Sequence, residues 1–271
     1  MKKISLIALL LIACTVCGVL VACSSSKYNE EIAGTYYAFL YDSKEGEYTK
    51  SKDNYFQLES NGMCNYNLPY MMNNGAISTE EAYKCIGATR FRYNGQSIKL
   101  NILSYQTYKV DNVMRVGDTY FCKENDLPYE VGDNVKYARY DNDTYRVYGL
   151  ADKSVSDINI STYNGKAVTE IVSNACAGSS LENVIIESEL LRIGNNAFKD
   201  CTELKSITIP SSITMIADCA FMGCGKFDLI YQGKLTEWEA INMTDTWIGY
   251  RGYSECTVHC EDGDLHYEIN R

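Results

Sequence analysis

The sequence is short of positive charge. Its 25 Lys and Arg residues are outnumbered by 35 Asp and Glu, which leaves a formal net charge of −10 at pH 7. Nucleic acids and anionic membrane surfaces bind clustered Lys and Arg, so neither is expected as the main partner. The chain also has no block of five or more like charges, which argues against a charged, disordered tail.

Familiar catalytic and metal-binding motifs are also missing from the sequence. There is no Gly-x-Ser-x-Gly, no phosphate-binding loop and no His-Glu-x-x-His. Of the two histidines, His259 lies between Cys256 and Cys260 in a pattern that could suggest zinc. If this segment is a strand, the two thiols face one side and the imidazole faces the other, which disfavours a shared ion. We therefore predict no metal, no cofactor and no enzymatic activity.

The first residues, MKKISLIALLLIACTVCGVLVAC, are typical of an export signal, with two lysines before an apolar stretch. The ending Leu-Val-Ala-Cys at Cys23 resembles the lipobox of bacterial lipoproteins, in which the thiol carries a diacylglyceryl group. Cys14 fits the same pattern, but cleavage there would leave an apolar tail. We expect a signal peptide at residues 1–22, a lipidated Cys23 with a tether at residues 23–27, and an extracytoplasmic protein anchored to the bacterial cell membrane. An uncleaved transmembrane helix is the alternative.

Residues 28–125 alternate apolar and polar side chains in segments such as GTYYAFLYD and TYFCKE, which predicts strands. Asn-Gly pairs at residues 61–62 and 94–95 predict hairpin turns, and STEEAYK at residues 78–84 predicts a helix. The order of these segments resembles the small lipocalin-like meanders of bacterial lipoproteins. Residues 126–143 are polar and contain Pro128 and Gly132, so they are predicted to be a linker.

Residues 144–271 repeat with a fixed period. Ile171, Ile193 and Ile216 are spaced by 22 and 23 residues, and other apolar positions follow the same spacing. Each unit contains Leu-x-x-Ile-x-Ile, a strand with its isoleucines on one face. A single such unit cannot bury its apolar face, but stacked units can, so the period predicts a solenoid of parallel strands. The expected fold class is therefore mainly β, with an antiparallel meander or small barrel followed by this solenoid.

The corners at residues 197–201 and 220–224 read Ala-Phe-x-x-Cys. Residues 197–210, AFKDCTELKSITIP, resemble the BspA-like leucine-rich repeat family, and the resemblance extends over Tyr145 to Tyr267, where the tail looks like a C-terminal cap. The first corner has Cys176 in place of Phe and Ser179 in place of Cys, so we expect looser packing there. Cys201 and Cys224 are expected to be small buried side chains, although a disulfide between adjacent coils is also possible on distance.

The same repeat predicts which side chains face outward, because residues between the inward isoleucines must point away from the core. The predicted outward column is Asn159, Ile185, Thr208 and Tyr231, and the flanking column is Asp157, Asn183, Ser206 and Leu229. Tyr231 and Ile185 are expected to form the main contact patch with a partner.

The family resemblance implies a surface-displayed module for protein interaction and adhesion, with host or bacterial surface proteins as partners. The alternative is a lipoprotein that binds a carbohydrate or another small ligand through the N-terminal β domain. Its candidate aromatic platform comprises Tyr36, Tyr37, Tyr55, Tyr93 and Tyr108, although alternating aromatic residues are more often core or cross-strand contacts.

Overall fold

The structure is a computed structural model of the chain. It describes residues 32–60, 63–67, 89–93, 97–100, 107–110, 113–116, 118–141, 143–250 and 253–270. These residues divide into two compact units. The first takes the described residues up to Leu40 and those of Lys50–Leu127, and the second takes Tyr41–Thr49 and Pro128–Arg271. The predicted signal peptide, Cys23 and the tether lie outside the described residues.

The first unit is an antiparallel barrel whose described strands follow one another in chain order. The strands are β1 (Gly34–Asp42), β2 (Glu47–Leu58), β3 (Met63–Asn67), β4 (Thr89–Tyr93), β5 (Ser97–Leu100), β6 (Thr107–Val110), β7 (Val113–Val116) and β8 (Thr119–Cys122). Tyr37 of β1 pairs with Cys122 of β8, which closes the barrel. Tyr36, Phe56 and Phe121 are buried, and the rings of the two phenylalanines lie 4.8 Å apart. The predicted antiparallel β architecture is confirmed.

The strand pairs predicted around the two Asn-Gly sequences are also present. Leu58 of β2 pairs with Cys64 of β3, and Tyr93 of β4 pairs with Ile98 of β5, both antiparallel. The Asn-Gly residues themselves and the helix predicted at residues 78–84 lie outside the described part of the chain.

The second unit consists mainly of two sheets, and in the repeats the chain alternates between them. Sheet I contains, in spatial order, β19 (Asn242–Met243), β17 (Met215–Ile216), β15 (Arg192–Ile193), β13 (Ala167–Ile171), β11 (Thr144–Leu150), β10 (Val135–Arg139) and β9 (Tyr129–Gly132). Sheet II contains β12 (Asp157–Ile160), β14 (Asn183–Ile186), β16 (Ser206–Pro210), β18 (Gly225–Gln232), β20 (Tyr253–Cys260) and β21 (Gly263–Asn270). A short helix, α1 (Leu235–Trp238), lies between β18 and β19.

Successive coils stack in parallel register, which confirms the predicted solenoid. In sheet I, Ile171 pairs with Ile193 and Ile193 with Ile216, and in sheet II Val184 pairs with Ile207. All five of these side chains are buried. Because equivalent residues stack on one another, the two sheets enclose a continuous apolar core that no single coil could form.

The prediction of a linker is wrong for residues 129–139, which form the antiparallel hairpin β9–β10 at the N-terminal end of sheet I. The turn uses Asp133 and Asn134, whose φ angles are 49° and 65°. Asp and Asn adopt such positive φ more readily than other residues with a side chain, which allows a tight hairpin. Val135 and Tyr137 of β10 are buried, so the hairpin covers the first coil.

At the C-terminal end, β21 pairs antiparallel with β20 and so adds a strand beyond the last parallel strand of sheet II. An aromatic cluster fills this end of the core. The Trp238 and Trp247 rings are 5.8 Å apart, and the indole Nε1 of Trp238 donates a hydrogen bond to the Tyr267 hydroxyl at 3.0 Å.

The Ala-Phe-x-x-Cys corners stack through both backbone and side chains. The backbone N–H of Phe198 donates to the carbonyl of Ala220 in the next coil at 2.8 Å. The Phe198 and Phe221 rings lie 5.2 Å apart with an interplanar angle of 5°. Phe221 further contacts the rings of Phe227 at 5.3 Å and Trp247 at 5.8 Å, so it is the central ring of the stack.

The corner cysteines are buried as predicted, and their thiols have a structural role. The Sγ of Cys201 donates to the carbonyl of Cys176 at 3.1 Å, and the Sγ of Cys224 donates to the carbonyl of Phe198 at 3.0 Å. Ser254 makes the corresponding bond from its hydroxyl to the Phe221 carbonyl at 3.3 Å. Each bond joins one coil to the corner of the coil before it. Burial raises the pKa of the Cys201 and Cys224 thiols, which keeps them protonated.

In the first corner Cys176, which replaces Phe, is fully buried. Ser179, which replaces the usual Cys, places its hydroxyl 3.3 Å from the Cys201 Sγ. The smaller pair therefore keeps a polar contact with the next coil. Looser packing at this corner stays a prediction.

Candidate partner-binding surface

The outward face of sheet II is a regular grid of side chains, because parallel strands in register align every second residue across the sheet. One column contains Asn159, Ile185, Thr208 and Ile230, which are paired in this order from β12 to β18. The adjacent column contains Asp157, Asn183, Ser206 and Asp228, paired over the same strands. We call these two columns the outer ridge.

The predicted outward orientation is wrong for two residues of the columns. Tyr231 is only 2 % exposed and Leu229 is fully buried, so both face the core, and Ile230 and Asp228 take the outward positions. Tyr231 packs its ring 5.5 Å from Trp238. Burial is the first cause of the raised pKa of its phenol. The aromatic anchor expected on the ridge is thus part of the C-terminal core.

The physical reason for this error lies at the beginning of β18. In the two preceding coils the buried leucine lies three residues before the first inward residue of the strand, whereas Phe227 lies within β18 itself, only two residues before Leu229. Strand alternation therefore places Phe227, Leu229 and Tyr231 on the inner face. The polar residues Lys226 and Asp228 lie on the outer face. Their alternation with apolar residues indicates the correct register, whereas the prediction followed the repeat alignment.

The remaining predicted residues lie on the outer ridge. Ile185 is 44 % exposed and Ile230 is 41 % exposed, two large apolar side chains in one column with Thr208 between them. Adjacent strands are about 4.8 Å apart, so the two isoleucines are separated by about 10 Å, a spacing that one partner element can span.

The flanking column is ordered by hydrogen bonds between coils. The Asn183 amide donates to the Asp157 carboxylate at 2.7 Å, and the Ser206 hydroxyl donates to the Asn183 amide oxygen at 2.9 Å. A hydrogen bond from Ser156 and then that from Asn183 lower the pKa of Asp157, so this carboxylate stays ionised at neutral pH. The ridge therefore combines apolar side chains with a fixed line of polar groups.

At the C-terminal end of the ridge, Ile230 pairs with His259 of β20. The His259 Nδ1 lies 3.0 Å from Asp264, and its Nε2 lies 3.5 Å from Asp228. The contact with Asp264 is the first cause of a raised pKa of this imidazole, and Asp228 adds to it. Protonation of His259 would change the charge at this end of the surface.

The segment that contains Cys256, His259 and Cys260 is part of the strand β20. Cys256 is buried, whereas His259 contacts carboxylates on the outer face. Among the described residues, no group of three or more His, Cys, Asp and Glu side chains could hold a metal ion. Nor does any described helix have the length and apolar character that a membrane crossing requires.

The repeats match a known family. Residues 155–240 match the family model for the BspA type leucine-rich repeat region, in six copies. No curated protein matches the chain. The match covers the coils that build the outer ridge and does not extend to the barrel.

Two solved structures are similar to part of this chain. One is a leucine-rich repeat protein of T. pallidum, with 23 % identity and a TM-score of 0.33 over 38 % of this chain and 54 % of that one. The other is a leucine-rich cell surface protein of Faecalibacterium prausnitzii A2-165, with 22 % identity and a TM-score of 0.23 over 44 % of this chain and 43 % of that one. The chain thus spans about half the length of either structure.

Proposed function

We propose that this protein is a lipid-anchored bacterial surface protein that binds another protein, as an adhesion or interaction module, through the outer ridge of its leucine-rich repeats. The observation that carries the proposal is the pair of exposed isoleucines, Ile185 and Ile230, held in one column of a parallel sheet. Repeats of this type serve as protein-interaction modules. An apolar centre with a polar margin suits a protein partner.

The ridge presents no group suited to catalysis, as far as the described residues extend. Its polar side chains bond to one another across the coils, as Asn183 does to Asp157. A nucleophile next to a general base would be the expected sign of covalent chemistry. We therefore propose binding rather than an enzymatic function.

The anchoring half of the proposal rests on the lipobox-like sequence that ends at Cys23. Two acyl chains hold a soluble domain at a membrane, since each buried methylene contributes about 0.8 kcal/mol. The test is labelling with a fatty-acid probe in a host that processes lipoproteins. We expect label on the wild type and on Cys14→Ala but not on Cys23→Ala, and the reverse pattern would assign the lipid to Cys14.

The binding half is tested with the variant Ile185→Ser/Ile230→Ser and the control Leu191→Ser. Leu191 is exposed to a similar degree, 45 %, but does not belong to the ridge. Binding to a panel of purified host and bacterial surface proteins should fall at least about tenfold for the double variant, equivalent to about 1.4 kcal/mol, and stay unchanged for the control. Equal binding by all three proteins, with equal melting temperatures, would refute the ridge as the contact surface.

The alternative function remains a carbohydrate or small ligand bound by the lipocalin-like barrel. Of its candidate residues, Tyr36 is fully buried and donates its hydroxyl to the Ile32 carbonyl at 2.9 Å, so it serves the core. Tyr37 and Tyr55 are partly exposed and pack edge to face with ring centres 6.3 Å apart. A glycan array with the wild type and Tyr37→Ala/Tyr55→Ala tests this alternative independently of the ridge.

A further inference from the structure

The two sheets of the solenoid end at different levels at the C-terminal end. The last strand of sheet I in the described chain is β19, which belongs to the same coil as β20 of sheet II. Sheet II continues for one more strand, β21, which pairs with β20 along its whole length. Within the described residues no strand of sheet I lies opposite β21. The solenoid therefore has a step, with β19 as its open edge.

The hydrogen-bonding pattern of the earlier coils shows what the open edge offers. The Ile171 carbonyl accepts a hydrogen bond from Gly194 of the next coil at 2.8 Å, and the Ile193 carbonyl accepts one from Ala217 at 3.0 Å. The equivalent residue of the last coil is Met243, which pairs with Ile216. In the described chain no further coil follows, so the backbone of Met243 presents its peptide groups towards the step. Open edges of this kind are templates for an added strand.

A cavity of about 350 Å³ lies beside the open edge. Its apolar lining comes from β19, the residues on either side of it and β21, and comprises Ile241, Met243, Trp247, Ile248, Tyr267 and Ile269. The volume is within the range of pockets that accept a small molecule or a few side chains. The inward column Ile171, Ile193, Ile216 and Met243 leads into this space, so an added strand could continue the core with an apolar side chain.

The charged side chains among the described residues that line the cavity are all acidic. Glu239, Asp245 and Glu268 line it and are exposed, and no Lys or Arg is among the described residues that line it. Three carboxylates next to an open strand edge favour a positively charged occupant, because electrostatic complementarity steers and selects partners.

We propose that the β19 edge is a second binding site, which accepts an extended basic segment of a partner protein as an added strand of sheet I. The segment alternates basic and apolar residues. Its backbone pairs with β19, its apolar side chains enter the cavity, and its Lys or Arg side chains contact the three carboxylates. This mode of recognition takes affinity from main-chain hydrogen bonds and specificity from alternate side chains.

A second copy of this chain is a poorer occupant. The chain carries a net charge of −10, and its other sheet I edge, β9, contributes Glu130, so joining the two edges would bring like charges together. The side chain of Val131 in β9 is exposed and could enter the cavity, but the repulsion between the acidic groups of the two edges opposes this contact.

The test measures binding of a fluorescein-labelled peptide, Lys-Val-Lys-Val-Lys, to the purified full chain by fluorescence anisotropy at low salt. Two control peptides accompany it, Glu-Val-Glu-Val-Glu and a version of the lysine peptide with alternate amides N-methylated. The charge variant Glu239→Lys/Glu268→Lys is compared with Glu189→Lys/Glu203→Lys, which changes the net charge equally at exposed positions outside the cavity.

We expect the cavity variant to bind the lysine peptide at least about tenfold more weakly than the control variant, and both control peptides to bind weakly. The peptide should also slow amide hydrogen exchange at Met243. Equal weakening by both variants would reduce the effect to net charge and overturn the proposal, as would full binding of the N-methylated peptide. Concentration-dependent dimerisation that the cavity variant abolishes would instead assign the edge to a second copy.

Discussion

Phe221 is the side chain whose loss should damage the solenoid most. It is fully buried and contacts the rings of Phe198, Phe227 and Trp247 at 5.2, 5.3 and 5.8 Å. Truncation of a buried Phe to Ala costs about 3–5 kcal/mol, and each aromatic pair adds about 0.5–1.5 kcal/mol beyond area burial. We therefore expect Phe221→Ala to lower the free energy of unfolding by about 4–5 kcal/mol.

The matched control is Phe198→Ala, in the equivalent corner one coil earlier. Phe198 is equally buried, and in the described chain it stacks on one ring, that of Phe221. Its loss should cost about 3–4 kcal/mol, because fewer aromatic contacts disappear. The double variant should lose less than the sum by about 0.5–1.5 kcal/mol, since the Phe198–Phe221 stack is counted in both single variants.

Urea denaturation followed by circular dichroism and by tryptophan emission measures these differences. Both tryptophans of the chain, Trp238 and Trp247, lie in the C-terminal aromatic cluster, so emission reports on the end that Phe221 supports. Each kcal/mol corresponds to a shift of about 2–4 °C in melting temperature for a domain of this size class. A loss for Phe221→Ala that is no larger than that for Phe198→Ala would refute the reasoning that Phe221 is the central ring.

Three further predictions concern the corners and the ridge. Cys201 and Cys224 should react with a thiol reagent only after denaturation, and a 201–224 crosslink in non-reducing mass spectrometry would contradict this. Gly223→Ala should cost about 1–2 kcal/mol, because Gly223 has φ 78°, whereas Asp200→Gly at the equivalent corner position, φ 58°, should not destabilise the fold. The carboxylates beside His259 raise the pKa of its imidazole in the folded protein. The stabilisation that His259 provides should therefore be complete below its unfolded pKa of about 6.5 and disappear as pH rises through the folded pKa. Comparison of the free energy of unfolding of wild type and His259→Gln at pH 5 and pH 9 checks this.

The repeat period was sufficient to predict the solenoid, because stacking in register is what the period encodes. It placed Ile185 and Thr208 on the outer face and the corner cysteines in the core. It failed at Tyr231, where a shorter connection into β18 moves every later side chain to the opposite face. A repeat alignment assigns a side chain to a face by its position in the repeat, whereas in a strand the face depends on alternation along the chain. The two assignments agree only while each coil has the same internal spacing.

The hairpin β9–β10 was missed for a different reason. Its polar residues suggested a linker, yet Val135 and Tyr137 alternate with polar neighbours and pack on the first coil. The informative signal was the pair Asp133-Asn134 between two short alternating segments, since these residues tolerate the positive φ of a tight turn. The end of a solenoid has to be covered by a structure that does not follow the repeat, so the period gives no guidance there.

The two proposed binding surfaces arise from this same division between repeat and end. Inward residues such as Ile193 are fixed by packing, so their identity carries information about the fold. Outward residues such as Ile230 are free of that constraint, and an exposed apolar side chain there stands out only once the strand register is known. The β19 edge depends on which sheet ends first, and only the strand order reveals it. Either binding surface therefore has to be identified from strand register and sheet topology, because the periodic residues that define the family are buried in the core.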